Sequence, residues 1–466
     1  MTGIGFRERG ALLAGRAAGE AARRLGRGGG TALPGLVAGT LAPRLIERFA
    51  AQLGYGAITV TGTNGKTTTS HLLTNTARAA GLQPLTNRSG SNLERGIAST
   101  FVDAVTPAGT LPDASSRLGV FEFDEAVWPL LLPRLKPRAA VFLNLFRDQL
   151  DRYGEVESVA EGWERALAAY ASPIALVLNV DDPSVALLGE SARNEVVGFG
   201  IEDRGVALIE AEHASDARFC RCGATFRYAA VFMGHVGLWR CPGCARSRTV
   251  PVVAARDVRL GADETRFTLC VGERGAEVAI PFAGLYSVYN ALACAAGAHA
   301  LGLPLEATVR ALAESGPAFG RQERFEVDGR HVRLLLAKNP TGMNEVLRTL
   351  LANTEPLTLL ALLNDGIQDG QDVSWIYDAD IERIAGRVVT LIAGGDRADD
   401  MALRCALAGF EPVVAERDIE RALDAAIART PAGGRVEVMT TYTAMLAVRA
   451  ILARRTGAQP YWEEQT

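Results

Sequence analysis

Residues 57–70 read Ala-Ile-Thr-Val-Thr-Gly-Thr-Asn-Gly-Lys-Thr-Thr-Thr-Ser, a β-branched run that breaks into Gly62-Thr63-Asn64-Gly65-Lys66-Thr67-Thr68. A strand that feeds a Gly-rich turn and then a helix beginning at Lys-Thr commits the chain to an α/β unit. Its turn aims backbone N–H groups at whatever sits above the helix N-terminus, where an anion is favoured. In such a turn the glycines allow close backbone approach, the lysine neutralises β- and γ-phosphates, and the hydroxyl after it reaches Mg²⁺. Of the 49 Lys and Arg residues, Lys66, Lys136 and Lys338 are the only lysines. Arg is therefore the default cation, and a Lys kept in the turn marks a place for a compact ammonium where a guanidinium does not fit. An ordinary strand–turn–helix corner has no such requirement. Residues Gly62 to Thr68 thus predict a nucleoside triphosphate site, with ATP and Mg²⁺ as cofactors and Thr67 on the metal.

Composition narrows the class. At 466 residues the chain has room for roughly two to four domains. A net charge of −4 argues against a general nucleic-acid binder. No apolar run approaches the ~20 residues needed to span a bilayer, and no secretory pattern is present. Seven cysteines, two close pairs among them, point to metal ligation before disulfides. Together these imply a cytoplasmic protein. The first 50 residues carry eight Arg and three Glu around a Gly turn at 28–30, with short amphipathic helices expected at Ala11–Ala18 and Leu41–Arg48. This segment reads either as a cationic surface near anionic lipid at the inner membrane face or as a solvated helical collar.

From Tyr55 onward, buried strands are expected at Ile58–Thr61, Gly119–Phe123, Ala139–Asn144 and Ile174–Asn179, with helices at 67–80, 126–132 and 157–171. Such alternation predicts a parallel sheet with helices on both faces and ligands at the carboxyl ends of the strands. A second α/β unit follows, with strands at Val332–Ala337, Leu357–Leu363, Val388–Ala393, Val413–Ala415 and Val436–Met439. The expected domains are an Arg-rich helical segment (1–50), an ATP-binding central domain (51–312) and a Rossmann-like α/β domain (313–466). The central domain carries a metal ribbon inserted at 213–252.

In that ribbon, Cys220-Arg221-Cys222 and Cys241-Pro242-Gly243-Cys244 flank a hairpin-like stretch. Two such pairs suit a tetrahedral structural Zn²⁺ of four thiolates, which leaves no open position for catalysis. One intervening residue in the first pair, where two are usual, strains that turn. His235 reads as a surface residue of the hairpin, or else as a substitute ligand. Cys270, Cys294 and Cys405 lie in apolar stretches and read as core thiols.

On these residues the chain resembles the Mur ligase superfamily over nearly its whole length, and most closely the MurT family. The loop Thr61–Thr69 looks like the family's phosphate loop. Phe121-Glu122-Phe123-Asp124-Glu125 matches the strand end whose acid, here Glu122, helps hold Mg²⁺. The stretch from Asn144 through Asp148-Gln149 and Asp151-Arg152 to Gly154 is similar to an Asn-x-x-x-Asp-His-Leu-Asp motif. Asn179 to Pro183, including Asp182, and Tyr289-Asn290 resemble nucleotide-contacting segments. Ala337-Lys338-Asn339-Pro340-Thr341-Gly342, the segment from Asn364 to Asp378 and the four-cysteine ribbon are narrower markers. Three departures separate the chain from amino-acid-adding Mur ligases. The 50 residues before the central domain are too few for a UDP-binding domain of roughly 100, Gln149 replaces a metal-binding His, and no Lys between 137 and 337 supplies a carbamylated lysine.

The resemblance implies ATP-dependent amidation, through an acyl phosphate, of the D-glutamate α-carboxylate in the lipid II stem peptide. Lys66 and the loop amides hold the triphosphate in this reading, Asn179, Asp182 and Asn290 serve the nucleoside, Arg321 reaches phosphate, and Lys338 serves the acyl-phosphate side. Nothing in the chain resembles a glutaminase, so the resemblance also implies a GatD-like glutamine amidotransferase subunit as heterodimer partner. Asp372 would complete that partner's Cys–His pair, with Asp369 and Asp378 as alternatives. Two rivals stand beside this reading: a folate-polyglutamylating ligase, and a zinc-ribbon NTPase acting on nucleic acid.

Overall fold

In the computed structural model, the described residues are 5–24, 32–87, 92–148, 156–190, 195–209, 212, 216–316, 320–353 and 355–458. Gln149, Asp151, Arg152, Gly154 and the Gly turn at 28–30 lie outside them. The central sheet has nine strands: β1 (Gly56–Thr61), β2 (Gln83–Thr86), β3 (Arg117–Glu122), β4 (Ala139–Phe142), β5 (Ala175–Asn179), β6 (Val196–Ile201), β9 (Val253–Leu260), β10 (Thr265–Val271) and β11 (Arg274–Ile280). Their order is β11-β10-β9-β6-β5-β4-β1-β3-β2. Pairing is parallel from β2 across to β9 and antiparallel for β9, β10 and β11. β1 therefore sits between β3 and β4, and its carboxyl end meets theirs, which places the phosphate loop beside Glu122 and Asn144.

The helices are α1 (Phe6–Arg24), α2 (Leu33–Leu41), α3 (Leu45–Ala50), α4 (Lys66–Ala79), α5 (Glu94–Ala104), α6 (Trp128–Leu135), α7 (Val156–Ala169), α8 (Leu285–Ala300) and α9 (Leu305–Glu314). Strands β1, β3, β4 and β5 are buried on both faces, so they read as continuous apolar runs. Behind the acids of β3, Trp128, Phe142 and Trp163 stack edge to face at 4.8 and 5.0 Å. Each such pair contributes about 0.5–1.5 kcal/mol beyond area burial. Trp163 Nε1 donates to the Glu125 carbonyl at 2.9 Å, so this cluster fixes the loop after β3.

The N-terminal segment is a helical collar. α1 covers the expected 11–18 helix, but Leu41–Arg48 is not one helix: α2 ends at Leu41 and α3 starts at Leu45, with Pro43 in the break. Proline cannot supply the N–H a continuing helix needs. Arg16 donates to the carbonyls of Val102 and Val105, Arg7 to that of Leu41, and Arg48 pairs with Glu8. Arg16 thus ties the collar to the end of α5, and the Arg48–Glu8 pair closes α3 on α1. β2, β6 and α5 join the expected elements; β2 is a four-residue edge strand of mixed burial, whereas β6 lies inside the sheet between β5 and β9.

The C-terminal unit is a six-stranded sheet ordered β12-β13-β17-β14-β15-β16. It comprises β12 (Arg324–Val327), β13 (Arg330–Leu336), β14 (Leu357–Leu362), β15 (Val388–Gly394), β16 (Val413–Glu416) and β17 (Arg435–Thr440). Helices α10 (Pro340–Leu351), α11 (Ala398–Leu407), α12 (Ile419–Arg429) and α13 (Tyr442–Thr456) complete it. Gln322 ties the connection to the central unit through both the N–H and the carbonyl of Ala283, at 2.9 and 2.8 Å. Asp263, at the β9–β10 turn, receives Arg435 through two bonds of 3.1 Å.

The inserted hairpin pairs β7 (Arg227–Met233) with β8 (Val236–Arg240). His235, expected on its surface, is 1 % exposed: the turn plugs into the central unit, where the ring lies 4.7 Å from Phe146 and Nε2 lies 3.4 Å from Asp182 Oδ1. The amphiphilic imidazole is thus used as packing at the hairpin's turn. Cys270 is half-buried on β10 and belongs to no core cluster, whereas Cys294 and Cys405 are buried as expected.

Candidate nucleotide and ligase site

At the end of β1 the backbone turns through Gly62 (φ +131°) and Gly65 (φ +91°), conformations that L side chains avoid. Space forbids a side chain as well: a Cβ at Gly65 would stand 2.1 Å from Asn290 Oδ1. Asn144, past the end of β4, clamps the loop by accepting from Asn64 N–H at 2.8 Å and donating to Asn64 O at 3.0 Å. Lys66 opens α4, and its ammonium bonds Gly62 O at 2.5 Å and Glu125 Oε2 at 3.1 Å. Burial alone would push that ammonium down, but the charges of Glu125, Glu122, Asp124 and Asp148 carry its pKa above the usual value. Lys66 therefore stays charged.

Around the loop opens a cleft of about 440 Å³, lined by both α/β units. Gly65 to Thr68, Glu122, Asp124, Glu125 and Asn290 face it from the central unit, and Lys338, Thr341, Gly342 and Glu345 from the C-terminal one. Lys338 Nζ reaches back to Asp148 Oδ2 at 2.5 Å. Arg321 lines the cleft from the connection and makes no hydrogen bond or ion pair among the described residues. Burial draws its guanidinium below the ordinary value, opposed by the Glu122 charge. The Glu122 carboxylate likewise accepts no hydrogen bond there, although the residue is only 7 % exposed. A buried acid left bare beside Thr67 and a phosphate turn fits a Mg²⁺ ligand.

Asn179 and Asp182 are not brought to the cleft. Asn179 Nδ2 donates to Leu143 O at 2.9 Å, and Asp182 accepts from Leu145 N–H and Ser184 N–H, each at 2.8 Å. Both are fully buried and brace the 143–146 segment that carries Asn144. Sequence reasoning passed over Glu125, although it stands in the quoted acidic run, because nothing local tells which acid meets Lys66. It also passed over Glu345 and Met233, which reach the cleft only through tertiary packing.

Residues Asn364 to Val373 leave β14 as a loop. Ile367 and Gln368 lie at the cleft, while Asp372 is exposed and caps Ser374 N–H at 2.8 Å, which holds its carboxyl below the usual range. Asp369 is turned inward, accepting from Thr443 N–H at 2.9 Å and from the Thr443 hydroxyl. Asp378 faces Arg147 at 3.5 Å.

The four ribbon cysteines gather as expected. Cys220 and Cys244 sulfurs are 3.5 Å apart, those of Cys222 and Cys241 3.4 Å, and all four lie within 4.8 Å. A tetrahedron of Zn–S bonds has edges of about 3.8 Å, so the donor set fits Zn²⁺. The turn at the short first pair closes through Gly223 (φ +84°), whose N–H bonds Cys220 O at 2.8 Å.

Residues 60–232 match the family described as Mur ligase middle domain, and residues 336–445 match MurT ligase C-terminal. The chain is 32 % identical over 450 residues to a Streptococcus pneumoniae protein, covering 95 % of this chain and 96 % of that one. The match to a Staphylococcus aureus (strain COL) protein is 31 % over 411 residues, covering 86 % and 89 %. Both are named lipid II isoglutaminyl synthase (glutamine-hydrolyzing) subunit MurT. In fold, the chain resembles a pseudomurein peptide ligase type C from Methanothermus fervidus (TM-score 0.63, 22 % identity, 86 % of this chain and 78 % of that one). It also resembles MurF ligase from Thermotoga maritima in complex with ADP (TM-score 0.64, 14 % identity, 90 % and 84 %).

Proposed function

The chain belongs to the MurT family, and from that premise we propose that it is the ATP-consuming subunit of a two-subunit carbon–nitrogen ligase of peptidoglycan synthesis. It amidates the α-carboxylate of D-glutamate in the lipid II stem peptide, giving D-isoglutamine with ammonia from a GatD-like glutaminase subunit. The observation that carries this reading is the single cleft in which the phosphate loop, five acids and the cations Lys66, Arg321 and Lys338 meet from two α/β units.

Joining a carboxylate to ammonia is uphill in water, so the carboxylate oxygen first takes the γ-phosphoryl group of ATP and ADP leaves. Ammonia then attacks the acyl carbon and phosphate leaves with the C–O bond. The protein's part is positioning and charge stabilisation. Lys66 and the N–H groups of Gly65 to Thr68 hold the phosphates. Glu122 and Thr67 would hold Mg²⁺, which supplies charge neutralisation on the transferring group. Arg321 is free to meet a phosphate oxygen, and Lys338 to leave Asp148 for the acyl phosphate. Asn290 stands between the loop and the apolar end of the cleft, suited to the nucleoside.

Asp372, exposed on the loop whose other end lines the cleft, is suited to orient the partner's catalytic His. Among the described residues no helix is long and apolar enough to cross a membrane, so the lipid-linked substrate is met at the bilayer surface. The test is ATP turnover: the chain with its glutaminase partner, Mg²⁺, lipid II and glutamine should release ADP and phosphate in step with amidated product. Absence of turnover under those conditions refutes the reading.

A further inference from the structure

Glu345 lies in the second turn of α10, 2 % exposed, at the wall of the cleft. Neither carboxylate oxygen has a hydrogen-bond partner among the described residues. Arg348 Nη1 is 3.7 Å from Oε1 but gives its hydrogens elsewhere: Nη1 bonds Phe232 O at 2.8 Å and Nη2 bonds Val206 O at 2.5 Å. The Tyr286 N–H stands near the carboxylate and favours its charged form, as do Arg348 and Arg383, while Glu212 opposes it. Buried acids with bare oxygens are rare because desolvation costs more than an apolar side chain of that size would. An acid kept there faces something absent from the bare chain.

Its position says what. Asn339 caps α10 and bonds Asn64 of the phosphate loop, so the helix is fixed against the triphosphate end. One and a half turns further on, the same helix places Glu345 with Phe146, Met233, Tyr286, Tyr289 and Val346, the apolar and aromatic part of the lining. A flat aromatic base belongs between such side chains, and its exocyclic edge then needs a polar partner. The carboxylate accepts but does not donate. It suits the 6-amino group of adenine and repels the 6-carbonyl of a guanine or hypoxanthine.

The geometry points to Glu345 as the residue that selects adenine nucleotides, by accepting from the 6-amino group of the base. This rests on the reading of the cleft as a nucleotide site. Hydrogen bonds to a buried charged group discriminate strongly, so loss of the donor should cost about tenfold or more in affinity.

The test compares ATP with inosine triphosphate, which carries a carbonyl where adenine carries the amino group, by titration calorimetry on the full chain with Mg²⁺ at about pH 8, where the side chain is the acceptor-only carboxylate. Wild type should bind ATP at least about tenfold more tightly than inosine triphosphate. Glu345→Ala should flatten the ratio. Glu345→Gln, whose amide can rotate to donate, should gain affinity for inosine triphosphate, a change that misfolding cannot mimic. If the ATP to inosine triphosphate ratio is the same in wild type and both variants, the assignment is overturned while nucleotide binding itself stands. If wild type binds neither nucleotide, the failure is of the cleft's reading as a nucleotide site.

Discussion

Asn64 in the phosphate loop and Asn339 at the N-cap of α10 hydrogen-bond each other side chain to side chain, at 3.1 and 3.3 Å, across 275 residues of chain. Each amide donates to the other's oxygen, so the pair fixes both rotamers at once. It places the start of a 12-residue helix, whose positive dipole end favours an anion, against the turn that holds phosphate. Two sheets that share no strand thereby close over one reaction volume.

Lys66 is held by its own loop and by Glu125, both buried. Replacing Lys66 with Ala leaves the Glu125 carboxyl without its counter-charge, and breaking a buried pair in this way costs about 3–5 kcal/mol. The Lys66→Ala chain should melt well below wild type and bind no ATP. Adding Glu125→Gln should restore much of the melting temperature but none of the nucleotide binding. Calorimetry checks both readouts, and recovery of binding in the double variant would show that Lys66 does not hold phosphate.

The ribbon should carry one zinc per chain. Cys241 is buried and its amide closes the second turn on Arg246 O at 2.7 Å. Cys241→Ser should abolish zinc by elemental analysis and lower the melting temperature by several degrees, since about 1 kcal/mol already moves a domain of 150–250 residues by about 2–4 °C. A full zinc complement in that variant would remove Cys241 from the ligand set.

Asp372 is exposed and structurally idle apart from its Ser374 cap. Asp372→Asn should reduce glutamine-dependent amidation by the complex by about 10³–10⁴-fold, the scale for losing the carboxylate that orients a catalytic His. Amidation driven by added ammonia should persist, and ATP affinity should not change. Equal loss with ammonia would place Asp372 in the ligase chemistry instead.

Burial pushes the Glu345 carboxyl up to about 7, against the pull of Arg348 and Arg383 and with the push of Glu212. In the unfolded chain such a group titrates near ~4.3. Between those values the folded chain binds the extra proton, so this group's contribution to stability falls as pH rises through that window and stays low above it. Glu345→Gln, which cannot ionise, should therefore melt above wild type at pH 8, with the gap narrowing at pH 5. A pH-independent gap in scanning calorimetry would contradict the assigned burial.

Much of this was legible locally. The β-branched run before Gly62, the Lys-Thr after Gly65 and the paired cysteines each carry their own backbone requirement, so a short window reveals them. So do the strands β1, β3, β4, β5, β13, β14 and β15, whose burial on both faces leaves continuous apolar runs. Asp182 shows the limit. A carboxylate at a strand end reads equally as a ligand contact or a brace, and the amides of Leu145 and Ser184 decide for the brace.

The residues themselves determined an α/β phosphate-loop protein with a four-thiolate cluster, because those features follow from neighbours along the chain. The tertiary structure alone decided that His235 is buried under Phe146, that Glu125 and not its neighbours meets Lys66, and that Lys338 faces Asp148 from another sheet. Such choices depend on groups brought within a few ångströms only once the sheets have packed, and desolvation and charge, which set their chemistry, exist only in that packed state.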